Sequence, residues 1–442
     1  MAIINGTNSD DDLLGTAQDD VLNGLAGNDN LDTSGGENDV AFGGGGNDLI
    51  TGGAAHNTFY GEGGNDQLTG GGPPGSINDL FGDTLEMHAN SRGGADELTG
   101  GGNGTRNSLF GDTRTMDDNS RGGDDMLTGE GGALGNVLYG DAFSMADNAR
   151  GGNDTLISGG VIAGSSEALS LFGDASEMHD HARGGDDTLT LTGARSSALF
   201  GDARLIDGNG RGGNDTLSGG SSPFGGSGLY GDALEMHDRA RGGNDQLTGA
   251  DAAASSLFGD AATMTDSTRG GNDMLTGGNS GFQSIYGDAG IMTDKSRGGD
   301  DTLIAGTAPV SNSLFGDASS MIGEARSGND TLISGTGTDQ MWGDAQFING
   351  VEASPTAQTG AVVTGSDTFV FTPGSGADFV HDMRQGDHDR IDVSAYGFES
   401  LEDVTIVDTG ADTRIDFDAT NNVTLLGVSD PGILHEQDFV FA

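Results

Sequence analysis

Acidic side chains recur at fixed intervals along this 442-residue chain. Between Leu80 and Asp330 a two-part phrase, LFGD and then RGGND with small variations, occurs nine times. The Asp of the first part and the last Asp of the second always stand 13 residues apart: Asp83/Asp96, Asp112/Asp125, Asp141/Asp154, Asp174/Asp187, Asp202/Asp215, Asp232/Asp245, Asp260/Asp273, Asp288/Asp301 and Asp317/Asp330. Asp11, Asp20, Asp29, Asp39, Asp48 and Asp66 hold the equivalent place, just before an apolar centre, in shorter repeats over residues 5–72. Like charges stacked in register repel unless neutralised, and a donor set made only of oxygen suits a hard cation such as Ca2+. The alternative is an acidic turn facing water.

The elements that position these residues follow from the spacing. Successive LFGD aspartates from Asp83 to Asp344 lie 27 to 33 residues apart, and the variation in length falls after RGGND. A fixed interval inside the unit and slack outside it predict a solenoid with one coil per repeat. With the Leu of LFGD and of NDTL as strand centres, the step Leu80 to Leu98 is 18 residues and recurs through Leu314 to Leu332. The 26 strand centres between Leu13 and Met341 predict about 13 coils. Three regions are expected: residues 1–72 with short repeats, 73–344 with one loop inserted per coil, and 345–442, where Gly thins out and longer β-type segments such as DTFVF and TRIDF appear.

Composition agrees with a thin core and abundant counter-ions. The formal net charge is -51, from 69 acidic and 18 basic residues, while 33% of residues are hydrophobic and 84 are Gly. Self-repulsion on this scale opposes folding until cations neutralise it. Nucleic acid, itself a polyanion, is an unsuitable partner. There is no Cys, which excludes thiolate metal sites. MAIINGTNSDDD has neither the basic start nor the apolar stretch of a secretory leader, and no membrane-spanning apolar run is present.

The segments GGGGNDLIT (43–51) and GEGGNDQLT (61–69) resemble the GGxGxDxUx nonapeptide of RTX, or hemolysin-type, calcium-binding proteins. The resemblance implies a right-handed parallel β-roll, with multiple Ca2+ ions held between successive turns by carbonyls and Asp carboxylates. In the long repeats it implies Asp96, Asp125, Asp154, Asp187, Asp215, Asp245, Asp273, Asp301 and Asp330 as ligands, with Asp83, Asp112, Asp141, Asp174, Asp202, Asp232, Asp260, Asp288 and Asp317 as possible additions. SDTFVFTPGSGADFV, GDHDRIDVSAYGF and the terminal DFVFA resemble the C-terminal segment of type I secreted proteins. That implies a β cap, export by type I secretion machinery from a Gram-negative bacterium, and folding outside the cell.

Two features depart from the family pattern. Arg92, Arg121, Arg150, Arg183, Arg211, Arg241, Arg269, Arg297 and Arg326 stand where the nonapeptide has its second Gly. A guanidinium there would pair with an Asp83-type carboxylate and replace a cation; the alternative is that calcium keeps those positions. The opposite edge loses its Asp after Asp39 and reads Asn78, Asn107, Asn136, Leu169, Ser197, Ser227, Ser255, Gln283 and Asn312, so little calcium is expected there. Each inserted loop carries a Met, as at Met87, with Ile206 in its place once, and each first strand an outward aromatic, as at Phe81. Either the loop folds back so that Met covers the ring, or the rings form an exposed binding stripe. An Asp two residues past the Met, as at Asp118, is either a further ligand or a solvated loop residue. No catalytic constellation is found: HEQD at 435–438 lacks the second His of a metalloprotease helix, and GxSxG and P-loop sequences are missing. The expected function is therefore non-catalytic: an extracellular structural element that self-associates into a filament, surface layer or matrix. A monomeric adhesion or polysaccharide-binding module is the alternative, and ice binding by the Thr ranks a remote one.

Overall fold

The computed structural model describes all residues except 54, 103, 160–168, 194–196, 221–226, 252–253, 280 and 308–310. It divides into two compact units, Met1–Ser221 and Ser222–Ala442. Both are built of parallel strands stacked coil on coil, the expected all-β roll.

In the first unit, Ile77–Phe81, Arg106–Phe110, Gly135–Tyr139, Leu169–Phe172 and Ser197–Phe200 pair in register, so that Leu80, Leu109, Leu138, Leu171 and Leu199 form one column. Strands of a second sheet stack Leu68, Leu98, Leu127, Leu156, Leu189 and Leu217 in the same way. These leucines are fully buried, each worth about 1.5–3 kcal/mol over exposure. In a three-residue strand such as Glu97–Thr99 only the central Leu points inward, as the two-residue period of a strand requires. The second unit repeats the scheme with Leu229, Leu257, Ile285, Leu314 and Met341 in one column. Its other column holds Leu247, Leu275, Leu303, Leu332 and Phe369.

The inserted residues are not loops throughout. They form the strands of a third parallel sheet, among them Ala142–Met145, Ala175–Met178 and Ala203–Ile206 in the first unit and Ala233–Met236, Ala261–Met264 and Ala289–Met292 in the second. The Met side chains and the alanines at the strand starts are buried. The aromatics are stacked in parallel: from Phe42 to Phe200, neighbouring ring centroids lie 4.7–5.1 Å apart. From Tyr230 to Trp342 they lie 4.8–5.0 Å apart. Phe81 is only 7% and Trp342 only 5% exposed, whereas Tyr230, Phe258 and Tyr286 are half-buried. Each stacked pair adds about 0.5–1.5 kcal/mol beyond area burial.

Asp118, Asp147, Asp180, Asp238, Asp266 and Asp294 adopt φ of 57–61°. Gly208 and Gly323 take the matching left-handed position in their coils, which Asp, Asn and Gly tolerate best.

Beyond residue 345 the coils continue. Thr368–Val370, Arg390–Asp392 and Phe439–Val440 extend the second sheet, and Ala377–Val380 extends the first. Antiparallel strands Thr405–Asp408, Thr413–Asp416 and Asn422–Leu425 then join that first sheet.

Candidate metal centre

Apart from Asp20 and Asp39, the nonapeptide-type aspartates form one column in each unit. In the first, the backbone N–H of Asp11 donates to Asp29 Oδ1, and the pattern repeats through Asp48, Asp66, Asp96, Asp125, Asp154, Asp187 and Asp215 at 2.6–2.8 Å. In the second it runs from Asp245 through Asp273, Asp301, Asp330 and Asp367 to Asp389 at 2.7–3.0 Å. One carboxylate oxygen is thereby used by the coil stack. The other, Oδ2, is buried without a hydrogen-bond partner at Asp29, Asp48, Asp66, Asp96, Asp125, Asp154, Asp187, Asp273, Asp301 and Asp330.

These oxygens lie in close contact with the glycines and carbonyls of neighbouring coils. A Cβ on Gly82 would stand 1.7 Å from the Gly111 carbonyl oxygen and 2.2 Å from Asp96 Oδ2. On Gly140 it would stand 1.6 Å from the Gly173 carbonyl oxygen and 2.1 Å from Asp154 Oδ2. Glycine is needed there because a carboxylate oxygen and a carbonyl of the next coil converge on the same point. Burial pushes the carboxyl of Asp48 up to about 6, Asp66 to about 7 and Asp96 to about 8. It pushes Asp125, Asp154 and Asp187 well above the usual carboxylate range, with neighbouring carboxylates adding to the rise. A row of buried carboxylates needs protons or cations. Orphaned carboxylate oxygens beside aligned carbonyls fit a hard divalent ion. Among the described residues no three acidic, His or Cys side chains group as a metal centre, so backbone oxygens must complete any site.

The family model of the RTX calcium-binding nonapeptide repeat matches residues 5–40, 42–72, 209–222 and 324–347. The chain carries RTX calcium-binding nonapeptide repeats in these segments. Its repeats bind multiple Ca2+ ions, and the column just described supplies the carboxylates that would hold them. No curated protein matches the chain.

The structure also places what sequence reasoning missed. Asp367 and Asp389 belong to the RTX column; the signal was an Asp two residues before an apolar centre, in DTF and DRI, as in NDTL. Asp83, Asp112, Asp141 and Asp174, and Asp202, Asp232, Asp260, Asp288 and Asp317, are all buried, not on solvated turn shoulders. The arginines take no part: Arg92, Arg121, Arg150, Arg183, Arg211, Arg241, Arg269, Arg297 and Arg326 have exposed side chains. Their backbones form parallel bridges between coils, such as Arg92 to Arg121 and Arg269 to Arg297. Arg204, Arg384 and Arg414 form ion pairs; the nine ladder arginines are exposed. The guanidinium therefore does not replace a cation at the Asp83-type positions.

On the opposite edge Asp20 donates its N–H to Asp39 Oδ1 at 2.8 Å, after which amides take over. Asn57 donates to Asn78, Asn78 to Asn107 and Asn107 to Asn136, at 2.7, 2.8 and 2.6 Å. An amide both donates and accepts, so this ladder satisfies itself without a cation. Replacing Asn107 with Leu should destabilise the folded state by about 2–4 kcal/mol, because the Asn78 donor and the Gly101 N–H lose their acceptor. Calcium stoichiometry should not change. Denaturant unfolding with parallel calcium counting checks both expectations.

Proposed function

We propose that this RTX protein is a non-catalytic, secreted calcium-binding protein that folds on calcium outside a Gram-negative cell and serves there as a self-associating structural element. The observation that carries the reading is the column of buried carboxylates with orphaned oxygens. Such a column is compatible with an unfolded chain where calcium is scarce and a folded one where it is plentiful.

Two features support export and assembly. The terminal residues supply the last strand of the second sheet, with Phe439 opposite Ile391 and Asp438 and Phe439 buried, so the segment resembling an export signal is partly covered in the folded chain. Ile3 and Leu14 are 67% and 68% exposed. Exposed apolar side chains recruit another chain, and a head-to-tail contact that does not close gives a filament. No helix among the described residues is long and apolar enough to cross a membrane.

Deleting Asp438–Ala442 should abolish export through a type I system, read as the ratio of protein in the medium to protein in the cells. Unchanged secretion refutes the export assignment. Electron microscopy with and without calcium tests assembly. Filaments or sheets that grow only with calcium support it; dispersed particles at millimolar calcium and high protein concentration favour a monomeric adhesion or polysaccharide-binding module.

A further inference from the structure

In the long repeats each coil turns a corner between its inserted strand and RGGND, and that corner carries two charged rows. One is the Arg ladder, from Arg92 through Arg121, Arg150 and Arg183 to Arg211 in the first unit and from Arg241 through Arg269 and Arg297 to Arg326 in the second. Parallel bridges hold these backbones in register, so the arginines follow one another at a coil rise of about 4.8 Å. Three residues earlier stand Asp118, Asp147 and Asp180 in the first unit, and Asp238, Asp266 and Asp294 in the second. Both rows are exposed. The residues just before the arginines, among them Ser120, Ala149, Ala240 and Thr268, are fully buried and keep the rows apart. The coil stack fixes both. Arg150 donates its N–H to the Ser120 carbonyl at 3.1 Å, and Asn148 donates to the Asp118 carbonyl at 2.8 Å.

This corner is unlike the rest of the molecule in charge. Nine of the 18 basic residues stand in one row of a chain whose net charge is -51. Like charges one coil apart repel, and among the described residues none of these nine guanidiniums is in an ion pair. In the second unit Asp266, Ser267, Asp294, Lys295, Gly323 and Glu324 line an open groove at the same corner. Lys295 lies 4.0 Å from Glu324, which leaves the carboxylates of Asp266 and Asp294 for a cation from outside.

A second copy of the chain satisfies both rows, because the same corner of that copy offers carboxylates and guanidiniums with the same period. Symmetry then decides the direction. A two-fold axis along the stacking direction lays the Arg row of each copy over the Asp row of the other. A two-fold axis across the stack would lay Arg on Arg and Asp on Asp. Charge therefore selects the parallel pairing, an isologous contact.

We infer that this corner is a self-complementary interface at which two copies associate side by side, parallel and in register, with Arg121 of one copy opposite Asp118 of the other and so on from coil to coil. The inference rests on the reading of the protein as a self-associating element, and adds a lateral, charge-driven contact to the apolar one at the end. A single exposed ion pair contributes little, but a rigid row repeats it at every coil.

Sedimentation velocity of the full chain at millimolar calcium tests it, at a protein concentration where no filaments form and with folding checked by circular dichroism. Paired copies are expected in about 0.05 M salt and single copies in about 0.5 M, because screening weakens exposed ion pairs. Arg121→Gln, Arg150→Gln and Arg183→Gln combined should weaken pairing about tenfold or more. Asp118→Asn, Asp147→Asn and Asp180→Asn combined should do the same, since Asn keeps the left-handed backbone. The chain has no Cys, so Asn119→Cys, exposed between the rows, reports direction: under oxidation it should link two copies to each other. Copies that stay single in low salt overturn the inference, and dextran sulfate bound by such single copies would make the row a polyanion site instead. A folded Arg variant that pairs as tightly as the unaltered chain also overturns it, and paired copies without the Asn119→Cys link overturn the parallel register. If the combined variants do not fold, the salt dependence and the cross-link decide. Calcium-dependent filaments that persist in the Arg variant leave the end contact standing, whereas salt-sensitive pairs without filaments remove the end contact alone.

Discussion

In EGTA at neutral pH the protein is expected to lose its β-sheet circular dichroism signal, and to regain it on addition of millimolar calcium. The formal charge of -51 and the buried carboxylates both oppose folding without counter-ions. A ligand that binds only the folded state stabilises it by ~2.7 kcal/mol per site at a hundredfold excess over Kd, and here the sites are many. Acid should substitute in part for calcium. Burial raises the folded-state carboxyls, with Asp83 and Asp141 at about 6, Asp66 at about 7 and Asp96 at about 8. A group raised on folding binds its proton more tightly in the folded state, so its contribution is complete below the unfolded value and is lost as pH rises through the folded one. Without calcium, stability should therefore fall between about pH 4 and pH 8. With calcium bound the carboxylates stay ionised and the slope should flatten. A β signal in EGTA at pH 8 equal to that with calcium would refute the mechanism.

The second large effect concerns coil spacing rather than charge. Gly123→Ala is expected to destabilise the folded state by about 3 kcal/mol or more, since overpacking against backbone cannot be relieved by rotating a side chain. A Cβ on Gly123 would stand 1.3 Å from the Gly94 carbonyl oxygen and 2.5 Å from its carbon. The coils would have to part where the carboxylate column depends on their separation. Gly131→Ala is the control: its Cβ would meet only Gly159 Cα, at 3.8 Å, and should change stability by less than about 0.5 kcal/mol. Thermal unfolding at fixed millimolar calcium separates the two. Equal midpoints for Gly123→Ala and the unaltered chain would show that the coils can separate freely there.

The repeat fixed much in advance. A constant 13-residue interval between Asp83 and Asp96, or Asp141 and Asp154, together with strand leucines 18 residues apart, leaves a parallel stack as the economical way to bury one Leu per short strand. The RTX column follows, because an Asp two residues before each buried centre must recur at the same point of every coil. The same rule extends to Asp367 and Asp389, where Phe369 and Ile391 replace Leu and the loss of Gly-rich flanks hid the pattern.

The path of the inserted segment was not legible. Its third strand is two residues long at Glu86–Met87 and four at Ala142–Met145, too short for periodicity to declare itself. Interval alone also does not say whether Asp83 and Asp96 lie on opposite shoulders of a turn or side by side. The sequence by itself determined the stacked roll, its register and one column of acidic residues, since these depend on spacing within a repeat. Only the tertiary structure decided that Asp83-type carboxylates are buried beside that column while the arginines face water, because this depends on where the inserted strand returns and which atoms of the next coil it meets.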